Sequence, residues 1–365
     1  MHAEEIWKAA TGEGIKVAVI DTGINAATPS LKGQVLEGLD ATDVAGEATD
    51  DYSGHGTTMA ELIAGTGAGG SVKGLAPGSK VIPMRISNAD KLGGERVNDL
   101  DEVTAIRAAA DSDAQIISMS FGSEYLHPKE REAVKYAQSK GKLFFAAVGN
   151  NAKKDNKEQY PAAYPEVVGV GAVDRNGKVG DYSQHGDDVD LAAPGSDIPG
   201  WCDAKFKSYC DDDGTSNATA LASASAALIW SAHPDWTANQ VLRVMIESAA
   251  RAKGTKAGSV SSYLGHGIVR PNAAINRGIG KPGDPDINPL TNEKTLNTKA
   301  SSKPSASASP QEQQGQQDKS GDKVEVAGTS KDSESSRTGL LVGGGAVIVI
   351  AAAGAIAVAR KRRTT

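Results

Sequence analysis

A serine hydroxyl attacks a carbonyl only when a general base takes its proton and fixed donors receive the charge that develops on oxygen. Ser216 is the candidate nucleophile, in the stretch Asp212-Asp213-Gly214-Thr215-Ser216-Asn217-Ala218-Thr219-Ala220. Three partners lie elsewhere in the chain. Asp21 closes the apolar run Val17-Ala18-Val19-Ile20, His55 sits in Gly54-His55-Gly56-Thr57, and Asn150 follows Ala147-Val148-Gly149. Taken singly, an aspartate at a strand end is more often a turn former, and a glycine-flanked histidine more often a loop residue. As a set they supply a carboxylate to orient an imidazole, an imidazole to accept a proton, a nucleophile, and an amide donor for an oxyanion.

These residues need a rigid frame. The run 17–20 is short, continuous and rich in β-branched residues, which predicts a strand buried on both faces. Asp21 then stands at the strand's C-terminal end, where open α/β sheets place their chemistry. Gly54-His55-Gly56 opens a helix over 57–64 that Gly65 and Gly67 can end. Apolar runs at 81–86, 116–121, 143–148 and 167–173 predict further parallel strands, and 100–110 and 128–139 have helical spacing. The alternation predicts a three-layer α/β domain with a mostly parallel central sheet. The serine helix is expected to run to about residue 232, and Thr237 to cap a second helix over 237–250 beyond Pro234.

The order Asp, His, Ser and three sequence blocks (VIDTGI around Asp21, GHGT around His55 and GTSNAT around Ser216) resemble the subtilisin-like serine proteases, or subtilases, over residues 6–274. The resemblance implies a subtilisin-like fold. It assigns nucleophilic attack to Ser216, proton transfer to His55 and orientation of His55 to Asp21, with Asn150 and the Ser216 backbone N–H forming the oxyanion hole. It also makes Ser120-Phe121-Gly122 the segment that pairs with an extended protein or peptide substrate, and Ala147, Val148 and Gly149 a wall of the pocket for the residue before the cut. Aligned through Tyr160-Pro161-Ala162, Gln159 is placed near the base of that pocket, a solvated loop position being the equal alternative. The pattern is not followed everywhere. Asn217 stands where the family usually has Met, Ala220 where it has Pro, and Glu61 where Gly is often seen, so that its carboxylate either faces solvent or perturbs His55.

Subtilases often bind structural calcium, but no ligand loop can be named, and neither a cofactor nor a metal is expected. Asp211-Asp212-Asp213 reads as a solvated turn, since adjacent carboxylates point in different directions. Asn217-Ala218-Thr219 matches the N-glycosylation pattern, which is discounted because a glycan there would block Ser216. Cys202 and Cys210 are too few for a structural zinc site. Outside the cytoplasm they are expected as a disulfide, worth about 2.5 kcal/mol in the loop-entropy model, that holds the loop beside the nucleophile. The alternative is two free thiols.

The net charge of −6 leaves no basic stripe, and the one strong cationic run is Arg360-Lys361-Arg362-Arg363, so a nucleic-acid partner is excluded. The expected organisation is a peptidase domain over 1–280, a disordered polar linker over 281–337, a transmembrane helix over 338–359 and a basic tail over 360–365. The uncharged stretch from Gly339 to Ala359 reaches roughly 30 Å, one membrane crossing. The positive-inside rule keeps the tail cytoplasmic and the peptidase domain extracytoplasmic, at the cell membrane. Residues 1–14 contain no apolar signal core, so the native signal peptide is expected to be missing from this sequence. Catalytic domain, linker, single helix and basic tail together are similar to the mycosins of type VII secretion systems, which implies membrane secretion-complex proteins as partners. The expected function is a membrane-anchored serine endopeptidase acting through an acyl-enzyme. The alternative is a protease-like scaffold subunit whose cleavage is slow or dispensable. An esterase on an α/β-hydrolase fold is disfavoured by the order of the triad and the absence of a nucleophile-elbow spacing.

Overall fold

Strands buried on both faces pair in parallel when helices carry the chain back between them. The computed structural model, which describes residues 1–87, 100–251, 254–256 and 258–295, is built on that plan. Helix α1 (Ala3–Ile6) precedes β1 (Lys16–Asp21), followed by β2 (Leu39–Asp40), α2 (His55–Ala64), β3 (Lys80–Arg85), α3 (Leu100–Asp111), β4 (Ile116–Met119) and α4 (Pro128–Ser139). Then come β5 (Leu143–Ala147), β6 (Val168–Val173), β7 (Leu191–Pro194), a hairpin of β8 (Ile198–Trp201) and β9 (Tyr209–Asp212), α5 (Thr215–Ala232), α6 (Ala238–Ser248) and α7 (Pro271–Ile275). The main sheet has the order β2-β3-β1-β4-β5-β6-β7, and its pairs are all parallel.

The period of two in β1 divides the interior. Val17 and Val19 join the core that includes α2 and α5, whereas Ala18 and Ile20 join the core that includes α3 and α4. Helix α5 is buried along almost all of its length from Thr215 to Trp230, which its Ala and Ser residues permit by letting it lie close beneath the sheet. Replacing Leu228, fully buried in that helix, by Ala would cost roughly 2–5 kcal/mol. Strand β1 has β3 on one side and β4 on the other. The strand order therefore reverses at β1, and Asp21 sits at its C-terminal end, the switch point at which α/β sheets bind ligands.

The three-layer, parallel-sheet expectation holds. Strand β2 is only two half-buried residues long and carries no periodic signal, and β7 is hidden in the small-residue block that leads to the serine. The hairpin strands are four residues each and mostly exposed or half-buried, so alternation does not mark them. The composition places the linker from residue 281, but residues 281–295 are docked. Thr237 Oγ1 and Asn239 Nδ2 both donate to the Pro285 carbonyl at 2.9 Å, and Asn239 Nδ2 donates to Thr295 Oγ1 at 2.7 Å. Polar composition misleads here because polar side chains at the start of α6 take up the tail's backbone and hydroxyl groups. The remainder of the linker, the expected span and the basic tail lie outside the described residues. Among the described residues, no helix is long and apolar enough to cross a membrane.

Candidate active site

Asp21 and His55 meet because α2 is pinned against the end of β1. Asp51 does the pinning. Its Oδ1 accepts from Thr22 Oγ1 and from the backbone N–H groups of Ser53 and Gly54, and its Oδ2 accepts from the Thr57 N–H and hydroxyl. The carboxylate thus satisfies orphan donors at the helix N-terminus, where negative charge is favoured. Gly56 permits the close approach, since a Cβ there would stand 2.2 Å from the Gly23 carbonyl and 3.1 Å from Asp21 Cβ. With α2 so placed, His55 Nδ1 lies 2.7 Å from Asp21 Oδ1. Thr22 N–H donates to the same oxygen at 2.7 Å, holding the carboxylate in position.

Ser216 occupies the first turn of α5. Its neighbour Thr215 reaches across to Asn150, donating to Asn150 Oδ1 from both its N–H and its hydroxyl at 2.9 Å, and its hydroxyl accepts from the Gly149 N–H at 3.2 Å. The amide of Asn150 is thereby turned with its Nδ2 outward. A Cβ on Gly214 would be 3.8 Å from Asn150 Nδ2 and 3.7 Å from the Ser216 nitrogen, so both donors border the same space. The Ser216 hydroxyl itself rests 3.5 Å from the Ser120 carbonyl.

His55, Asn150 and Ser216 line one cleft of about 610 Å³, together with Ser120, Phe121, Gly122, Ala147, Gly149 and Gln159. Val148 does not line it. It is fully buried in the core with α3 and α4, because the residue between Ala147 and Gly149 faces the other side of the extended chain. Gln159 is buried, and its Oε1 would stand 3.2 Å from a Cβ on Gly122, so it belongs to the cleft wall and not to a solvated loop. The described lining carries four acidic residues, Glu102, Glu130, Asp212 and Asp213, and no Lys or Arg.

Glu61 is neither at the surface nor beside His55. It is fully buried, and accepts from Thr28 Oγ1 at 3.0 Å and from the Tyr209 hydroxyl at 2.7 Å. Burial raises its pKa, and the bonds from Tyr209 and Thr28 offset part of that rise. Burial pushes Tyr209 up to about 12, which keeps its hydroxyl a donor. Asn217 is buried too, with Nδ2 donating to the Asp212 carbonyl at 3.4 Å and to Asp212 Oδ2 at 3.2 Å. Asp211 and Asp212 end strand β9 instead of forming a free turn, and Asp213 Oδ1 accepts the Asp197 N–H at 2.9 Å. Cys202 and Cys210 are bonded across the hairpin. Asp51 and Thr215 were not among the expected site residues. The signal for Asp51 was an Asx-type carboxylate just ahead of a helix start, and for Thr215 a hydroxyl adjacent to the nucleophile.

Comparison with known proteins agrees with this geometry. The model of the Subtilase family, peptidase S8, matches residues 12–267. The Major intracellular serine protease of Bacillus subtilis (strain 168) is 37% identical over 238 residues, covering 63% of this chain and 72% of that protein. Among solved structures, MycP1 from Mycobacterium smegmatis is 26% identical with a TM-score of 0.62, covering 75% of this chain and 82% of that one. Another structure of MycP1, described as a serine protease and an essential component of the type VII (ESX-1) secretion system, is 29% identical with a TM-score of 0.63, covering 75% and 86%.

Proposed function

The chain belongs to the subtilase family and is a subtilisin-like serine endopeptidase, and we propose that Asp21, His55 and Ser216 are the residues that carry its catalysis. The observation that supports this most is the 2.7 Å contact between His55 Nδ1 and Asp21 Oδ1 at the edge of a cleft that also holds Ser216 and Asn150. In this reading Asp21 accepts a hydrogen bond from the Nδ1–H and so fixes the tautomer, leaving Nε2 to take the proton of Ser216. Ser216 Oγ adds to the scissile carbonyl, and the oxyanion receives hydrogen bonds from Asn150 Nδ2 and the Ser216 N–H. His55 then protonates the leaving amine, and a water repeats the sequence on the acyl-enzyme.

An extended peptide is the expected occupant, pairing with Ser120-Phe121-Gly122 and setting the side chain before the cut against Ala147, Gly149 and Gln159. The acidic lining disfavours acidic peptides by like-charge repulsion. We further read the enzyme as a membrane-tethered, outward-facing protease of a type VII secretion system. The support is the likeness to MycP1 and the apolar stretch from Gly339 to Ala359 followed by a basic tail. Cells that carry Ser216→Ala in place of the wild type test both parts. Loss of processing of secreted proteins supports the protease role, and secretion that survives Ser216→Ala but fails on deletion of the chain supports the scaffold reading.

A further inference from the structure

Two departures from the family pattern, Glu61 and Asn217, touch the same element. The hairpin β8–β9 lies against α2 at Gly54, Thr58 and Glu61, positions spaced by four and three that share one helix face. At Gly54, the residue before His55, φ is +89° and a Cβ would stand 2.9 Å from the Asp203 carbonyl. At Thr58, Oγ1 accepts the Trp201 N–H at 2.9 Å. At Glu61 the Tyr209 hydroxyl donates at 2.7 Å. The rings of Trp201 and Tyr209 stack 4.1 Å apart, and each is followed by a cysteine of the bond between Cys202 and Cys210. Strand β9 then runs on to Asp212, which accepts both bonds from Asn217 Nδ2 beside Ser216.

A buried carboxylate and a buried amide are costly fillers of a packing gap unless their hydrogen bonds are needed. Here the bonds tie a covalently closed hairpin to the helix of His55 on one side and the helix of Ser216 on the other. We infer that Glu61 and Asn217 are positioning residues for proteolysis, acting through the disulfide-closed hairpin 198–212 to fix the spacing between His55 and Ser216. This rests on the assignment of His55 and Ser216 given above. It makes the Cys202–Cys210 bond a condition of full turnover. Because the anchor on α2 begins next to His55, loosening the hairpin is expected to slow the chemical step and leave the peptide-pairing segment, Ser120-Phe121-Gly122, unchanged.

The test compares kcat and KM on a neutral chromogenic peptide anilide, and the labelling rate with a fluorophosphonate, for the full chain and its variants. Glu61→Leu and the double variant Cys202→Ala/Cys210→Ala are each expected to lower kcat and the labelling rate about tenfold with KM changed less than about twofold. Glu61→Gln, whose side-chain carbonyl still accepts the Tyr209 hydroxyl, is expected to recover most of that loss. Adding Glu61→Leu to the cysteine double variant is expected to cost little more, since both act through one hairpin. Reduction of the wild type by dithiothreitol, verified by thiol titration and reversed by reoxidation, gives the same kcat readout if a variant fails to fold. Unchanged kcat after complete reduction, or in folded Glu61→Leu, overturns the inference. Turnover that persists in Ser216→Ala would instead overturn the assignment of the site itself.

Discussion

Thr215 holds Asn150 by its carbonyl end. Both the N–H and the hydroxyl of Thr215 donate to Asn150 Oδ1 at 2.9 Å, so the residue before the nucleophile decides which way the amide of Asn150 faces. A flipped amide would set a carbonyl oxygen toward the oxyanion and repel it.

Asn150→Ala is therefore expected to lower kcat by about 10²–10³, the loss known for such a donor in a subtilisin relative, with KM little changed. Thr215→Val, which keeps the N–H but removes the hydroxyl, is expected to cost about tenfold, and less than that in the Asn150→Ala background. Steady-state kinetics of the four proteins closes the cycle. Equal effects of Thr215→Val with and without Asn150 would show that Thr215 does not act through it.

Asp21→Asn removes the acceptor that faces His55 Nδ1 and lets the wrong tautomer form. The expected loss is about 10⁴ in kcat, because Oδ1 of Asp21 faces both His55 Nδ1 and the Thr22 N–H and an amide NH2 set there accepts from neither; circular dichroism checks that the fold persists. Combined with Ser216→Ala, it is expected to add nearly nothing, since residues that act as one unit are not additive.

Much of this was legible before any coordinates. The end of β1, the start of α2 and the start of α5 each carry both a periodic pattern and a motif, and there local propensity and chemistry point the same way. Glu61 was not legible. Its neighbours Thr28 and Tyr209 are 33 and 148 residues away in the chain, and no local pattern announces a buried carboxylate that depends on them. Val148 was misplaced for a different reason, because a matched block names a wall without saying which alternate residues face it. The docked segment after residue 280 shows the limit of composition, which reports what a chain cannot bury and not what side chains elsewhere will bind.

Asp190 offers a test of the fold by pH. Burial pushes its carboxyl up to about 7, against the Gly169 N–H that donates to it at 2.9 Å. An acid raised on folding takes up protons in the native state, so its stabilising contribution is complete below the unfolded value near 4 and is lost as pH rises to about 7. Asp190→Asn keeps the acceptor and removes the titration. The variant is expected to gain on the wild type by about 3 kcal/mol between pH 4 and pH 7, and the gain to level off about one pH unit above that. Urea unfolding at several pH values measures the difference, and a constant offset would contradict it.

Charge in the cleft gives a substrate prediction. Peptides bearing Lys near the cut are expected to have a kcat/KM several-fold above otherwise identical peptides bearing Glu, about fivefold, and salt is expected to narrow the gap. Parallel assays at low and high ionic strength decide it. A preference for Glu would show that the carboxylates of Glu102, Asp212 and Asp213 do not face the bound peptide.

The most direct measurement of the whole account is covalent labelling of the full chain by a fluorophosphonate, with Ser216→Ala, His55→Ala and Asp21→Asn beside it. The account predicts one label per wild-type chain, on Ser216 by peptide mass mapping, none on Ser216→Ala, and labelling slowed by orders of magnitude in the other two. A label on another serine, or undiminished labelling of His55→Ala, would contradict the assignment of Asp21, His55 and Ser216 as one catalytic unit.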